Sequence, residues 1–202
     1  MSINKYRAIF RLGLLLCAAG LALVPQLRAQ TSAAGPYKLV AYIGGGYSYY
    51  TAPPGGPPPG VPVDVTKSGL VGTVRLMWVP DHLIRLGLET GWTTFYNYTF
   101  GAQNDGKLSL SGVPVIVVWS MNVLHVDLFA GAGYYRMNSN LDYHGTVNGT
   151  TWSLGWLAAG SYTHQISDNL GVAGELKWMN AVESHDAVMT IQVQLVWKIL
   201  EW

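Results

Sequence analysis

Residues 189–199 read Met189-Thr190-Ile191-Gln192-Val193-Gln194-Leu195-Val196-Trp197-Lys198-Ile199. Met189, Ile191, Val193, Leu195, Trp197 and Ile199 alternate with Thr190, Gln192, Gln194, Val196 and Lys198. Successive side chains of an extended chain point to opposite faces, so a period of two is a β-strand with two unlike faces. Here the apolar face is broad, aliphatic and tipped with tryptophan. The same stripe recurs in seven earlier segments, behind a stretch that reads as an export signal. The combination predicts an all-β chain: an eight-stranded antiparallel up-and-down transmembrane β-barrel preceded by a signal peptide, apolar outside and polar inside.

The other segments are 37–50, 67–79, 83–100, 108–121, 123–137, 151–166 and 170–180. Each is long enough for the roughly 9–11 residues that cross a bilayer as a strand. In the third, Ile84, Leu86, Leu88, Trp92, Tyr96 and Tyr98 form the apolar face against Arg85, Glu89, Thr93 and Asn97. In the fourth, Leu108, Leu110, Ile116 and Val118 take that place against Ser109, Ser111, Val113 and Val117. Pro114 has no N–H for a ladder, which predicts a bulge or break there.

Short turns are expected at 80–82, around Asn122 and at 167–169. Long loops are expected at 51–66, about 100–107, 138–150 and 181–187. Outer-membrane barrels alternate short periplasmic turns with longer external loops in this way. The loop at 51–66 is rich in Pro and Gly and reads as extended.

The 202 residues suffice for one domain. Charged residues make up 11% of the chain, about half the roughly 25% of soluble proteins. Eight Trp and twelve Tyr suit a surface whose rings sit at the level of lipid headgroups. A net charge of +1 gives no reason to expect nucleic acid as a partner.

Residues 1–29 read as the signal peptide. Lys5, Arg7 and Arg11 form its basic region, and 12–24 its apolar region, shorter than the roughly 20 residues of a helical span. Cleavage is expected after Ala29, with Ala33 or Ala34 as alternatives, leaving 35–202 as the barrel domain. Cys17 is the only cysteine. It follows the bulky Leu16, where a lipoprotein signal would place a small residue, so neither lipidation nor thiol chemistry is expected of the mature chain. No run of 18 apolar residues follows the signal, so a mature chain that spans a membrane must close a barrel.

The polar faces collect Lys38, Arg75, Arg85, Glu89, His125, Asp127, Glu175, Lys177 and Lys198. A Lys or Arg turned to lipid at mid-bilayer costs ~2–4 kcal/mol. Eight strands leave an interior just wide enough for side chains. The expectation is a network of paired charges plugging the lumen, with Arg75 and Glu89 brought together across the 80–82 turn. A proton or ion path, or a small-molecule site, is the competing use of the same set.

Catalytic signatures are weak. Ser184-His185-Asp186 are sequence neighbours, and neighbours on an extended chain point apart, unlike a convergent triad. The histidines are scattered without metal-ligand spacing. No catalytic residue, metal or cofactor is expected.

Three stretches resemble the small outer-membrane β-barrel family, the OmpA/OmpX-like group. Val113-Pro114-Val115-Ile116-Val117 is similar to its fourth-strand pattern. Asp127-Leu128-Phe129-Ala130-Gly131-Ala132-Gly133 is similar to its fifth. Residues 162–175, centred on Ser167-Asp168-Asn169-Leu170, are similar to its sixth-to-seventh hairpin. The resemblance covers the whole mature chain. It implies an eight-stranded barrel of the bacterial outer membrane, reached after export through the inner membrane. Its implied roles are envelope integrity, adhesion or surface defence, not catalysis.

The resemblance also implies contact with outer-membrane lipid and recognition of a terminal aromatic, here Trp202, by the barrel-assembly machinery. With the chain ending at the barrel, no peptidoglycan-binding domain is expected after it. His164 and Ser167 lack the His-x-Ser signature of the lipid-modifying barrels. Leu200 and Trp202 fall on even positions, whereas the last apolar stripe is odd. Either the strand is bulged near Ile199 or the ending is an imperfect assembly signal. Surface partners are expected at 51–66 and 138–150. A lipid-modifying enzyme, a narrow pore and a soluble lipocalin-type barrel are the competing functions.

Overall fold

The computed structural model describes residues 37–52, 63–80, 84–100, 106–142 and 145–202. The expected signal segment lies outside them. Among the described residues nine strands follow one another: β1 (Lys38–Tyr50), β2 (Val63–Thr66), β3 (Ser68–Val79), β4 (Arg85–Phe100), β5 (Gly106–Val123), β6 (Val126–Asp142), β7 (Thr146–Ser167), β8 (Leu170–Ala181) and β9 (Asp186–Glu201). The sheet order is β2-β4-β3-β1-β9-β8-β7-β6-β5, and β4 also pairs with β5. That pairing closes a ring of eight antiparallel strands. Closure satisfies the backbone without free edges, which a hydrocarbon environment requires.

The outward row of each wall is apolar and exposed. Ile191, Val193, Leu195 and Trp197 of β9 point out, and Thr190, Gln192, Gln194 and Val196 point in. The same alternation sets Leu76 and Trp78 outside Arg75 and Met77, and Leu176 and Trp178 outside Glu175 and Lys177. Water would not tolerate so continuous an apolar surface, whereas lipid does.

The ninth strand, β2, is an addition to the expected eight. It lies inside the segment expected to be the 51–66 loop and, among the described residues, pairs only with β4, from Val63 opposite Phe100 to Thr66 opposite Asn97. It continues β3 past Lys67, whose carbonyl accepts the Tyr50 N–H at 2.7 Å. The 138–150 segment is also mostly strand. β6 runs to Asp142 and β7 begins at Thr146, with Asp142 opposite Thr146. Polar Asn and Thr pairs continue that ladder beyond the apolar band, so loss of hydrophobicity marked the band's edge and not the strand's end.

Several side-chain placements differ from expectation. The turn near Asn122 is Leu124-His125, with φ of 51° and 71°. Two central residues with positive φ match the twist of a tight hairpin, and His125 is drawn out of the strand. In β5, Val115, Val117 and Trp119 face outward, while Ile116 and Val118 are fully buried. Both faces of that strand are aliphatic, so alternation alone left its orientation open.

Pro114 does not break β5. It lies opposite Tyr135 in an unbroken ladder with β6. On the other side the ladder passes from Thr90–Val115 to Thr93–Gly112, and the missing N–H falls in that gap. The irregularity lies on β4 instead, where the register shifts between Thr94 and Tyr96. The extra residue resets the face. Tyr98 is therefore buried and Tyr96 packs against the core, where lipid contact was expected.

The odd-even conflict at the chain's end resolves as a bulge. Val40 pairs with Lys198 and Leu39 with Leu200, leaving Ile199 over. Leu200 and Trp202 then share the outer face with Trp197. Tyr37 and Trp202 exchange backbone hydrogen bonds of 2.7 and 3.0 Å and seal the seam between first and last strands. Their rings lie 6.0 Å apart, and Trp78 stacks on Tyr37 at 5.8 Å.

Candidate functional site

The lumen holds three groups of charges where one network was expected. The central group is Arg75 on β3, Glu89 on β4, and Glu175 and Lys177 on β8, all fully buried. Arg75 and Glu89 are direct cross-strand partners. Nε of Arg75 donates to Glu89 Oε2 at 2.6 Å, and Nη1 donates to Glu175 Oε2 at 2.7 Å. Lys177 Nζ lies 2.7 Å from Glu89 Oε1 and 3.0 Å from Glu175 Oε1.

The four form a closed square of alternating sign. The interior disfavours each ion strongly, so the group persists by mutual attraction and hydrogen bonds to both carboxylates. Arg75 Nη2 stands 2.5 Å from Glu89 Oε2 but out of line for a hydrogen bond.

Neutral residues complete this layer. Gln194 donates to Glu175 Oε1 at 3.0 Å, and Lys177 to Thr73 Oγ1 at 3.2 Å. The Arg75 guanidinium carbon lies 4.0 Å from the Phe129 ring centre and 5.6 Å from that of Tyr42. Cation–π attraction gains strength where water is excluded. Phe129 and Tyr42 pack edge to face at 5.7 Å. The signal for Phe129 was its inward phase beside Asp127; nothing in the spacing paired it with Arg75.

Towards the end of the barrel away from the chain's terminal seam, the lumen turns apolar. Met179, Leu157, Tyr135, Phe95 and Val188 are all buried and belong to one cluster. The Tyr135 hydroxyl donates to the Trp156 carbonyl at 3.0 Å. Beyond them, Tyr50 Oη donates to Asp186 Oδ1 at 2.8 Å, and the Tyr50, Tyr96 and Tyr98 rings follow at 4.9 Å steps.

The second and third charge groups lie at the opposite mouth, beside the seam. Arg85 Nη1 and Asn122 Nδ2 both donate to Asp127 Oδ1, at 2.8 and 2.9 Å. Lys38 and Lys198 share Glu201, at 3.4 and 2.6 Å. Glu201 was missed in the sequence because the Ile199 bulge resets its phase. His125 stands in the exposed turn and joins neither group by an ion pair. Lys38, Arg85, Asn122, His125, Asp127 and Lys198 border an open vestibule of about 390 Å³, with Tyr42 also in its lining.

The residues weighed for catalysis do not converge. Ser184 Oγ donates to the Ala181 carbonyl at 3.4 Å, His185 Nδ1 contacts the Glu183 carbonyl, and Asp186 turns inward to Tyr50. Among the described residues, no cluster of three or more His, Cys, Asp or Glu could hold a metal.

Solved structures with similar folds include Ail, the attachment invasion locus protein of Yersinia pestis, in complex with the heparin analogue sucrose octasulfate. That match has 7% identity and a TM-score of 0.50 and covers 83% of this chain and 100% of that one. Neisserial surface protein A matches at 10% identity and a TM-score of 0.47, covering 82% and 99%. OprG from Pseudomonas aeruginosa matches at 10% and 0.46, covering 82% and 97%. At these identities the likeness is one of fold. No curated protein matches the sequence. The family model described as outer membrane protein beta-barrel domain matches residues 14–198. With that match spanning a closed, outwardly apolar eight-stranded ring, the chain belongs to the outer membrane protein beta-barrel domain family.

Proposed function

We propose that this protein is a non-enzymatic, sealed barrel that contributes to envelope integrity and makes surface contacts through its external segments. The family is one of bacterial outer-membrane barrels, and the outer membrane is where the protein resides. Export would use residues 1–29 as the signal. The chain's terminal seam and its short turns would face the periplasm. The segments 51–66 and 138–150, the latter carried on the extended β6–β7 hairpin, would reach outward to partners.

The observation that carries this reading is the buried square of Arg75, Glu89, Glu175 and Lys177. Its charges neutralise one another, and the packed Met179, Leu157 and Tyr135 lie beyond it. An ion entering the lumen would have to break these pairs and then displace an apolar layer. Planar-bilayer recording of the refolded barrel tests the seal. A silent membrane is expected, and stepwise currents at low voltage would overturn the reading. Lipid A from cells with and without the protein should have identical mass. A changed acyl composition would make it an enzyme.

A further inference from the structure

We propose that the vestibule beside the terminal seam is a binding site for a small soluble oxyanion, a carboxylate or phosphate on a short apolar body. Its volume, about 390 Å³, lies within the roughly 300–1,000 Å³ of small-molecule pockets. Three cations, Lys38, Arg85 and Lys198, line it against two carboxylates, Asp127 and Asp168.

Arg85 is the anchor. It gives Nη1 to Asp127, and the rest of its five-donor fork has no protein partner among the described residues. A planar fork matches the paired oxygens of a carboxylate or phosphate. Thr163 also lines the cavity, and its Oγ1 is buried without a hydrogen-bond partner among the described residues. Such an orphan is costly unless something completes it. Lys38 and Lys198 are held by the half-exposed Glu201, a weak restraint, and both can turn to an incoming anion. Val40, Val79 and Val196 supply the apolar surface for the ligand's body.

The site needs only the vestibule, so it stands or falls separately from the barrel's surface role. Butyrate and butyl phosphate are the probes, with butylammonium as the control of similar size and opposite charge. They are titrated into the refolded full barrel and followed by NMR. Both anions are expected to give saturable shifts centred on Val40, Val79 and Thr163, and butylammonium none.

Arg85→Met should weaken both anions by about tenfold or more. Arg85→Lys, which keeps the charge and loses the fork, should fall between. Folding of each variant is checked by the heat-dependent gel mobility of the barrel. No saturable shift with either anion, an equal response to butylammonium, or unchanged affinity in folded Arg85→Met would overturn the proposal. Loss of butyrate binding in nanodiscs of anionic phospholipid would overturn the soluble source, moving the oxyanion to a lipid headgroup. Unchanged binding supports it.

Discussion

Arg75 Nη1 lies 2.7 Å from Glu175 Oε2, although β1 and β9 separate their strands in the ring. The bond crosses the lumen, so it exists only when the barrel is closed. It therefore links closure of the sheet to neutralisation of the interior.

The first prediction concerns that link. Glu175→Ala leaves Arg75 and Lys177 with one carboxylate between them in a buried site. Stranding a buried charge costs about 3–5 kcal/mol. The urea midpoint of the refolded barrel should fall accordingly. Replacing all four members with apolar residues of similar volume should cost little or stabilise, because the desolvation of four ions disappears with their attraction. A quadruple variant as unstable as Glu175→Ala would refute this account of the square.

The second concerns the outer face. Val193 sits mid-strand on the apolar row of β9. Val193→Arg should destabilise by ~2–4 kcal/mol, and Leu200→Arg near the rim by at most about 1 kcal/mol, as depth dictates. Refolding into lipid vesicles across a urea series measures both. Equal costs would mean that lipid is not what surrounds Val193.

The third tests the bulge at Ile199. Deleting Ile199 keeps Lys198 opposite Val40, Leu200 opposite Leu39 and Trp202 on the outer face. Stability should change by no more than about 1 kcal/mol. Deleting Gln194 in the same strand has the opposite consequence. Every residue from Leu195 onward changes face, and the heat-sensitive compact band should disappear.

The fourth concerns close backbone approach. A β-carbon at Gly46 would collide with the Ile191 carbonyl and the Gln192 backbone, and one at Gly44 with the Val193 carbonyl. The β1–β9 ladder would have to part. Gly46→Ala is expected to lower the unfolding midpoint, whereas Gly174→Ala, which meets open space, should leave it within about 0.5 kcal/mol. Gel mobility after graded heating compares the two.

The alternation of Val193 with Gln194 was sufficient for a strand with two unlike faces, and its recurrence in eight segments with few charges favoured lipid as the solvent of the apolar face. Arg75 beside Glu89 was equally legible, since a short turn joins their strands. β5 was not, because Leu110, Ile116 and Val118 would suit lipid or core alike. Nor were the inward turns of Tyr96 and Glu201, which depend on single extra residues at Phe95 and Ile199. A bulge is fixed by what the neighbouring strand presents, and a linear pattern does not contain the neighbour.

By itself, then, the sequence determined that strands form, which rows meet hydrocarbon wherever one face is polar, and which charges must hide from it. Only the closed tertiary structure decided how those charges divide. Arg75 finds Glu175 because the ring returns β8 to face β3. Arg85, Lys38 and Lys198 meet around one vestibule because all three stand at the same mouth. Charge is local to a residue, but its partner across a lumen is a property of closure.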